Sequence, residues 1–180
     1  MQGLLSQNYL SNAKMFGGSG SNIKSIQHYE VNFAASSAEQ DVAITAVDLT
    51  KAVIRGTGVL VREDAGFSAM ATSLEFKNST TVTMKRYNAT ADYNIVSFYV
   101  IELNSIKSLQ SFSAATSTTS AVATVSAVNW AKSEVIYTYQ TSATTVRAGS
   151  VEFYRSSNNL NFRANQNVTL TVVGFVVEYE

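Results

Sequence analysis

The chain contains neither cysteine nor proline, and its one histidine is His28. Without cysteine there are no disulfide bonds and no thiolate metal sites, and one imidazole leaves little for a metal or catalytic site. Proline often protects the edge strands of β proteins, so lysine, arginine or neighbouring strands must protect them in this chain. We therefore expect no metal ion and no cofactor.

Charge is scarce as well: 14% of the residues are charged, and 13 basic residues balance 13 acidic ones. A neutral chain lacks the positive field that attracts nucleic acid, so nucleic acid is not an expected partner. No apolar run approaches the length of about 18 residues that a membrane helix needs, and we expect no membrane association. Residues 1–10 have no basic region ahead of an apolar core, so we expect no secretory signal and synthesis in the cytoplasm.

The abundant residues are those that favour β-strands. Apolar residues make up 46% of the chain, and valine, isoleucine, threonine, tyrosine and phenylalanine recur throughout it. Branched and aromatic side chains suit a pleated, half-buried surface. The composition therefore predicts an all-β protein.

Six residues near the start of the chain recur later. Asn22–Gln27 returns as Ser105–Gln110, with Ile-Lys-Ser followed by Ile or Leu and then Gln. Self-similarity of this kind indicates a tandem duplication, here of units of about 80 residues. The segments that follow match in the same order: 42–48 with 123–129, 73–76 with 150–153, and 99–103 with 175–179. We divide the chain into residues 1–21, a first copy over 22–104 and a second copy over 105–180.

Alternating apolar residues in the first copy predict short strands. An opening strand over 23–33 has one apolar face, formed by Tyr29, Val31 and Phe33. A second strand over 41–47 places Val42, Ile44 and Ala46 together. Asp48 then begins a polar turn, and Gly56–Gly58 indicates a bulge or turn. Five to seven short strands in each copy predict two tandem antiparallel β-sandwich domains of jelly-roll-like form.

A domain of this size buries only around 60% of its unfolded surface, so it needs further support. We expect that support from packing between the copies or from a homo-oligomer. Residues 1–16 have apolar side chains without a regular period, and the Gly/Ser segment 17–21 forms a flexible joint. This region is either a frayed terminus or an extended N-terminal arm that docks on a neighbouring subunit. The docking side chains would be Leu4, Leu5, Tyr9, Leu10, Met15 and Phe16.

The titratable residues do not form a catalytic pattern. His28 has no serine, cysteine or carboxylate partner at a fixed spacing, which argues against a nucleophilic triad. Glu63 and Asp64 lie beside Arg62 and are interpreted as solvated charges, with a weak cation site as the alternative. Glycoside hydrolysis requires paired carboxylates in one cleft, and the sequence does not place such a pair. We expect a protein that is not an enzyme.

Aromatic residues of the second copy are the remaining candidates for ligand binding. Trp130, Tyr137 and Tyr139, together with Tyr154, could form a platform for a sugar ring, because these side chains combine an apolar face with a polar tip. The alternative is that Trp130 covers the core or a subunit contact, since its counterpart Leu49 is simply apolar.

Four segments of the first copy resemble a family of small β domains found in the structural genes of tailed bacteriophages. These segments are NIKSIQ, VAITAVDLTKAVI, SLEFKNSTTVTMKR and VSFYVIEL. The resemblance covers 22–103 well and 105–180 more weakly, because Asn129 replaces Asp48 and Trp130 replaces Leu49. It implies a component of the virion and supplies no catalytic residue.

The sequence and the resemblance together lead to an expected function. It is that of a non-enzymatic virion structural protein, made in the host cytoplasm and attached to other capsid or tail proteins. A capsid decoration or cement protein, held by β faces and the arm, is the first expectation. The alternative is a host-recognition module of a tail or head fibre that binds surface glycan. The repeated Lys24 and Lys107 are predicted to be outward-facing charges that protect strand edges.

Overall fold

The structure is a computed structural model that describes residues 22–34, 36–61, 68, 71–89 and 94–180. The predicted arm with its apolar side chains, and the charged loop over 62–66, lie outside the described residues. Within the described part the chain is all-β, with twelve strands in four antiparallel sheets of three strands each.

Each copy contributes six strands. The strands of the first copy are β1 Ile23–Phe33, β2 Glu39–Ala43, β3 Ala52–Val61, β4 Thr72–Asn78, β5 Thr81–Arg86 and β6 Asn94–Leu103. Those of the second are β7 Ser108–Thr116, β8 Ser120–Thr124, β9 Ser133–Thr141, β10 Val151–Ser156, β11 Asn159–Ala164 and β12 Leu170–Glu178. A 3-10 helix over Trp130–Lys132 precedes β9, and a short helix, α1 Val146–Gly149, follows it.

The two copies have the same strand order. In the first copy, sheet A has the order β1-β6-β3 and sheet B the order β2-β5-β4. In the second, sheet C has the order β7-β12-β9 and sheet D the order β10-β11-β8. Every strand therefore has a counterpart six strands later, as a duplication predicts.

Strand pairing shows which residues of the two copies are equivalent. Glu102 lies opposite Ser25, and Glu178 lies opposite Ser108, which confirms the match of 99–103 with 175–179. The match of 73–76 with 150–153 is wrong by two residues. Leu74 pairs with Met84 and Phe153 pairs with Phe162, so Phe153 occupies the position of Leu74, and Arg155 that of Phe76. A bulge after Phe76, which β10 lacks, accounts for one residue of this difference.

The buried residues form two clusters. The first lies between sheets A and B and has Phe33, Phe98 and Met84 at its centre, with no exposed surface. Tyr29 and Val31 pack against it, so the predicted apolar face of β1 is confirmed. The second cluster lies between sheets C and D, around Leu160, Phe162 and Leu170.

The second strand is shorter than predicted. β2 ends at Ala43, and the chain then leaves the sheet as an irregular segment up to Asp48. Val42 and Ile44 are buried, but Ala46 is exposed and Val47 is buried in its place. The predicted alternation fails because a segment outside a sheet does not keep the two-residue period. Gly56–Gly58 is confirmed as a bulge, within a continuous β3.

The copies contact each other through different surfaces. The middle strand of sheet C is buried on both sides: Val172 and Val176 belong to the second cluster, whereas Phe175 and Val177 belong to the first. The outer face of sheet C therefore packs on the first copy. There it meets β3 and β4, the strands at one edge of sheets A and B.

Candidate functional site

The Ile-Lys-Ser segment of the first copy anchors a buried glutamate. Lys24 Nζ donates to Glu102 Oε1 at 2.8 Å, and Ser25 Oγ donates to Glu102 Oε2 at 3.4 Å. The backbone N–H of Asp48 also donates to Oε1, at 3.3 Å. The Glu102 side chain is 6% exposed and that of Lys24 is 59% exposed, so the ion pair joins an exposed lysine to a buried carboxylate.

The second copy repeats this arrangement atom for atom. Lys107 Nζ donates to Glu178 Oε1 at 2.7 Å, and Ser108 Oγ donates to Oε2 at 3.3 Å. The N–H of Asn129 donates to Oε1 at 3.1 Å. We call these two networks the glutamate anchors. Lys24 lies on edge strand β1, and Lys107 lies immediately before edge strand β7. Both side chains are largely exposed, at 59% and 62%, as predicted, but each also pairs with a buried glutamate, which the sequence did not predict.

The anchors lower the pKa of both glutamates. Burial raises the pKa of Glu102, but the hydrogen bonds from Lys24 and from the Asp48 N–H outweigh it, so the pKa lies below its ordinary value. The hydrogen bond from Lys107, followed by that from the Asn129 N–H, lowers the pKa of Glu178. The hydrogen bond with Glu102 raises the pKa of Lys24.

The glutamine of the repeated segment makes a second connection. Gln27 Oε1 accepts from the N–H of Thr45 at 2.9 Å, and its Nε2 donates to the Thr45 carbonyl at 3.0 Å. Gln110 makes the same two bonds with Ser126 in the second copy, at 2.7 and 3.4 Å. The lysine, serine and glutamine of the motif thus fix β1 or β7 to the segment that follows β2 or β8.

The turn at the end of that segment is also duplicated. Asp48 Oδ1 accepts from the N–H of Thr50 at 2.9 Å, as the sequence predicts. Asn129 Oδ1 accepts from the N–H of Ala131 at 3.1 Å. Both side chains offer an oxygen at the same place, so the replacement of aspartate by asparagine leaves the turn intact.

Among the described contacts that hold the copies together, three are made by residues of sheets A, B and C and are not duplicated. Arg55 forms an ion pair with Glu134, whose other oxygen accepts from the Tyr179 hydroxyl at 3.1 Å. The N–H of Leu74, on edge strand β4, donates to Thr138 Oγ1 at 2.9 Å. The third contact is between rings: Phe76 meets Phe175 edge to face, with centroids 5.9 Å apart.

Two clefts flank the interface between the two copies. One, of about 390 Å³, lies between Leu49, Leu74 and Phe76 of the first copy and Phe112, Val173 and Phe175 of the second. The other, of about 270 Å³, lies over the outer face of sheet A. Its floor includes Ile26, Tyr99 and Ile101, and its wall includes Glu134, Ile136 and Tyr179 of the second copy.

The three predicted aromatic residues do not form one exposed platform. Tyr137 and Tyr139 lie on the inner face of β9, and burial raises the pKa of both phenols. Tyr137 packs on Phe162, with ring centroids 5.2 Å apart. Trp130 lies on the 3-10 helix at the rim of the second cluster, where the Arg155 guanidinium covers its ring at 4.6 Å. This position agrees with the alternative in which Trp130 covers the core.

The other predicted polar residues lie apart from these contacts. His28 is on the outer face of sheet A, with its Nε2 atom 2.9 Å from Ser97 Oγ and its ring 4.6 Å from that of Tyr99. Among the described residues, no three histidine or acidic side chains are grouped as a metal site would require. Within the same part of the chain, no helix has the length and apolar character needed to cross a membrane.

Comparisons with known proteins add no relative. The chain matches no protein-family model, no curated protein and no solved structure at a significant level. The resemblance to bacteriophage domains is therefore an expectation from the sequence segments quoted above.

Proposed function

We propose that this chain is a non-enzymatic structural protein of a bacteriophage virion, most simply a capsid decoration or cement protein. The observation that carries the proposal is the way its two copies are joined. The outer face of sheet C in the second copy packs on the β3 and β4 edge of the first. The polar residues that recur in both copies form the glutamate anchors inside each copy. A protein built in this way acts through contact area, which suits attachment to a particle.

We propose further that each copy is a β-sandwich domain, the first over 22–104 and the second over 105–180. Four of the five connections between strands in each copy pass from one sheet to the other, and residues of both sheets form each cluster. The order β1-β6-β3 beside β2-β5-β4 is that of a jelly roll that lacks two strands. This agrees with the jelly-roll-like form predicted from the sequence.

The carboxylates of the repeat support a non-enzymatic role. Glu102 and Glu178 each accept from a lysine, a serine and a backbone N–H, so three of the roughly four lone-pair sites of each carboxylate are used within the fold. A catalytic carboxylate needs an open side toward its substrate. These two carboxylates instead stabilise the ends of β6 and β12.

The location of the chain on the particle tests this function. Phage particles that carry the gene would be separated into heads and tails, and each fraction would be probed with an antibody to the chain. A decoration protein is expected in the head fraction. Recovery from tails would replace this location with the tail position. Recovery from neither would overturn the proposal.

In the same particles, deletion of residues 1–20 should lower the stability of the particle if the arm docks on a neighbouring subunit. Unchanged particle stability would exclude that role of the arm.

A host-recognition module is the second candidate, and the aromatic residues Trp130 and Tyr154 of the second copy favour it. Tyr154 is 47% exposed on β10, on the strand face opposite to Arg155, which covers Trp130. Binding to a glycan array, with loss on Trp130→Ala, would support this candidate. A chain that binds no glycan, and whose Trp130→Ala variant is only less stable, would leave Trp130 with a structural role.

A further inference from the structure

The outer face of sheet A is covered only in part. On its β3 side the second copy packs on it, and Val53 and Ile136 are both buried. Beyond this cover Ile26, Tyr99 and Ile101 are only half-buried, and they line the floor of the cleft of about 270 Å³. Because the second copy forms one wall, the cleft has room for side chains or one extended segment and not for another sheet.

The cleft suits an apolar side chain. Among its described lining residues the charged ones are Arg55 and Glu134, which form an ion pair with each other. The Tyr179 hydroxyl donates to the same glutamate at 3.1 Å. Since these groups are already paired, they offer a polar ligand little, whereas an apolar side chain would leave water. An apolar cavity of about 150 Å³ binds benzene, so a cleft of about 270 Å³ has room for an aromatic side chain.

The cleft lies where residues 1–21 join the described part of the chain, because Asn22 and Ile23 line it. Residues 1–21 contain six large apolar side chains beyond the initiator methionine, and a single charged side chain. Phe16 is the nearest of the six to Asn22 in the sequence, and Gly17–Ser21 separates them. The apolar residue closest to the cleft is therefore an aromatic one.

The joint is long enough for Phe16 to reach the cleft of its own chain. Five extended residues span up to about 17 Å. Along β6, the cleft floor from Leu103 to Tyr99 spans about 13 Å. Glycine and serine leave the joint free to turn back toward the sheet.

The second copy shows how such a face is covered. Phe175 and Val177 of β12 occupy the positions that Tyr99 and Ile101 occupy in β6. They are at most 8% exposed and belong to the cluster of the first copy. The face of the second copy is thus covered by the chain that precedes it. The chain that precedes the first copy is residues 1–21.

We propose that residues 1–21 fold back on their own chain and that the Phe16 side chain fills the cleft over sheet A. The ring would lie on Ile26 and Ile101, against Ile136 and Tyr179 of the second copy, so it would join the two copies. A short joint gives Phe16 an effective concentration on the order of millimolar, which favours its own chain over a neighbouring one. The proposal differs from the docking on a neighbouring subunit expected from the sequence, and it does not depend on the proposed function.

A single tryptophan in place of Phe16 tests the proposal. Trp130 is the only tryptophan of the chain, so Phe16→Trp in a Trp130→Phe background gives one fluorescent reporter. In the folded chain the reporter should emit at shorter wavelength than in urea. Iodide should quench it about threefold less than in the unfolded chain.

A charge in the cleft locates the docked side chain. Ile26→Glu places a carboxylate on the cleft floor, and it should raise the quenching of the reporter to the level of the unfolded chain. Val122→Glu is the matched control, because Val122 is 52% exposed on β8 in sheet D, and it should leave the quenching low. Circular dichroism shows whether the variants are folded, and Ile26→Ser replaces Ile26→Glu if the carboxylate unfolds the chain.

Dilution distinguishes the chain's own segment from that of a neighbour. Protection from iodide that is constant over about a hundredfold dilution would support docking within one chain. Protection that is lost on dilution would overturn the proposal in favour of a neighbouring chain. A reporter quenched as in urea, or one still protected in a folded Ile26→Glu chain, would overturn it as well, because the segment would be undocked or docked elsewhere. All these measurements use the free chain, so they are independent of whether the chain belongs to a virion.

Discussion

Gly174 and Tyr137 face each other across β12 and β9 so closely that a Cβ atom on Gly174 would lie 2.9 Å from the Tyr137 Cα. In the first copy the same pair is reversed: Gly56 on β3 faces Phe98 on β6. Each copy thus places one aromatic ring opposite one glycine, from opposite strands. The Phe112 ring fills the space that a side chain at position 174 would occupy, and each copy has one glycine and one aromatic residue at this pair of positions.

Gly174→Ala should destabilise the protein strongly. The added methyl group would lie against the Ile136 carbonyl oxygen and 2.8 Å from the Phe112 ring, so backbone must move. We expect a loss of about 3 kcal/mol in the free energy of unfolding, measured with urea. Gly56→Ala is the matched control, because its methyl group would meet only the flexible ends of Thr138 and Leu74, at 3.2 and 3.5 Å. Equal losses for the two variants would contradict this account.

The glutamate anchors should each contribute to stability. Glu102→Gln and Glu178→Gln keep the shape of the side chain but remove the charge that pairs with lysine. We expect both variants to melt at a lower temperature than the unaltered chain, by similar amounts, since the two networks are equivalent. Glu152→Gln serves as the control because Glu152 is exposed on β10. A melting temperature unchanged in both anchor variants would show that the anchors are dispensable.

Acid should weaken the protein through the same residues. The pKa of each anchor glutamate is lower in the folded chain than its ordinary value of 4.5. The stability it contributes is therefore complete above that value and is lost as the pH falls through the folded-state pKa. Urea unfolding between about pH 6 and pH 3 should show this loss. The Glu102→Gln/Glu178→Gln double variant should lose less stability over that range, and a parallel decline in both proteins would refute the assignment.

The hydroxyl of Thr138 should matter for the joint between the copies. Thr138→Val keeps the shape of the side chain but removes the acceptor for the Leu74 N–H at the edge of sheet B. A net loss of about 1 kcal/mol in the free energy of unfolding is expected. Thr138→Ser retains the hydroxyl, so hydrogen exchange at the Leu74 amide should stay slow in this variant and become faster in Thr138→Val. Identical exchange in both would show that the hydroxyl does not protect this edge.

Tyr179 should ionise at higher pH than an ordinary tyrosine. Burial, and then the nearby Glu134 carboxylate, raise its pKa from 10.0 to about 12. Because the folded-state pKa is the higher one, the stability that it contributes is present below pH 10 and is lost as the pH rises toward 12. In the Tyr179→Phe variant, the ultraviolet titration should lose the absorbance change of one tyrosine that ionises at high pH. In the Glu134→Gln variant Tyr179 should ionise at lower pH. An unchanged titration would show that Glu134 does not raise the pKa of Tyr179.

Much of the fold could be predicted because the repeat and the strand period are local signals. The bounds of β1 agree with the predicted strand 23–33. The Asp48 turn and the bulge at Gly56–Gly58 also follow from residues that favour them. The end of β2 could not be predicted, because Ala43–Val47 continues the apolar alternation although the chain has left the sheet.

The polar site was harder to predict, since its partners are distant in the chain. Lys24 and Glu102 are 78 residues apart, and no local pattern joins them. The signal that could have found the pair is the duplication itself, because Lys-Ser and the late glutamate recur together in both copies. The ion pair of Arg55 with Glu134 carries no such signal, since it joins positions that are not equivalent.

The amount of this chain in purified particles tests the central claim most directly. Quantitative mass spectrometry would compare it with the major capsid protein through successive rounds of gradient purification. A structural protein of the virion should keep a constant ratio from round to round. A ratio that falls toward zero with each round would show that the chain is not part of the particle.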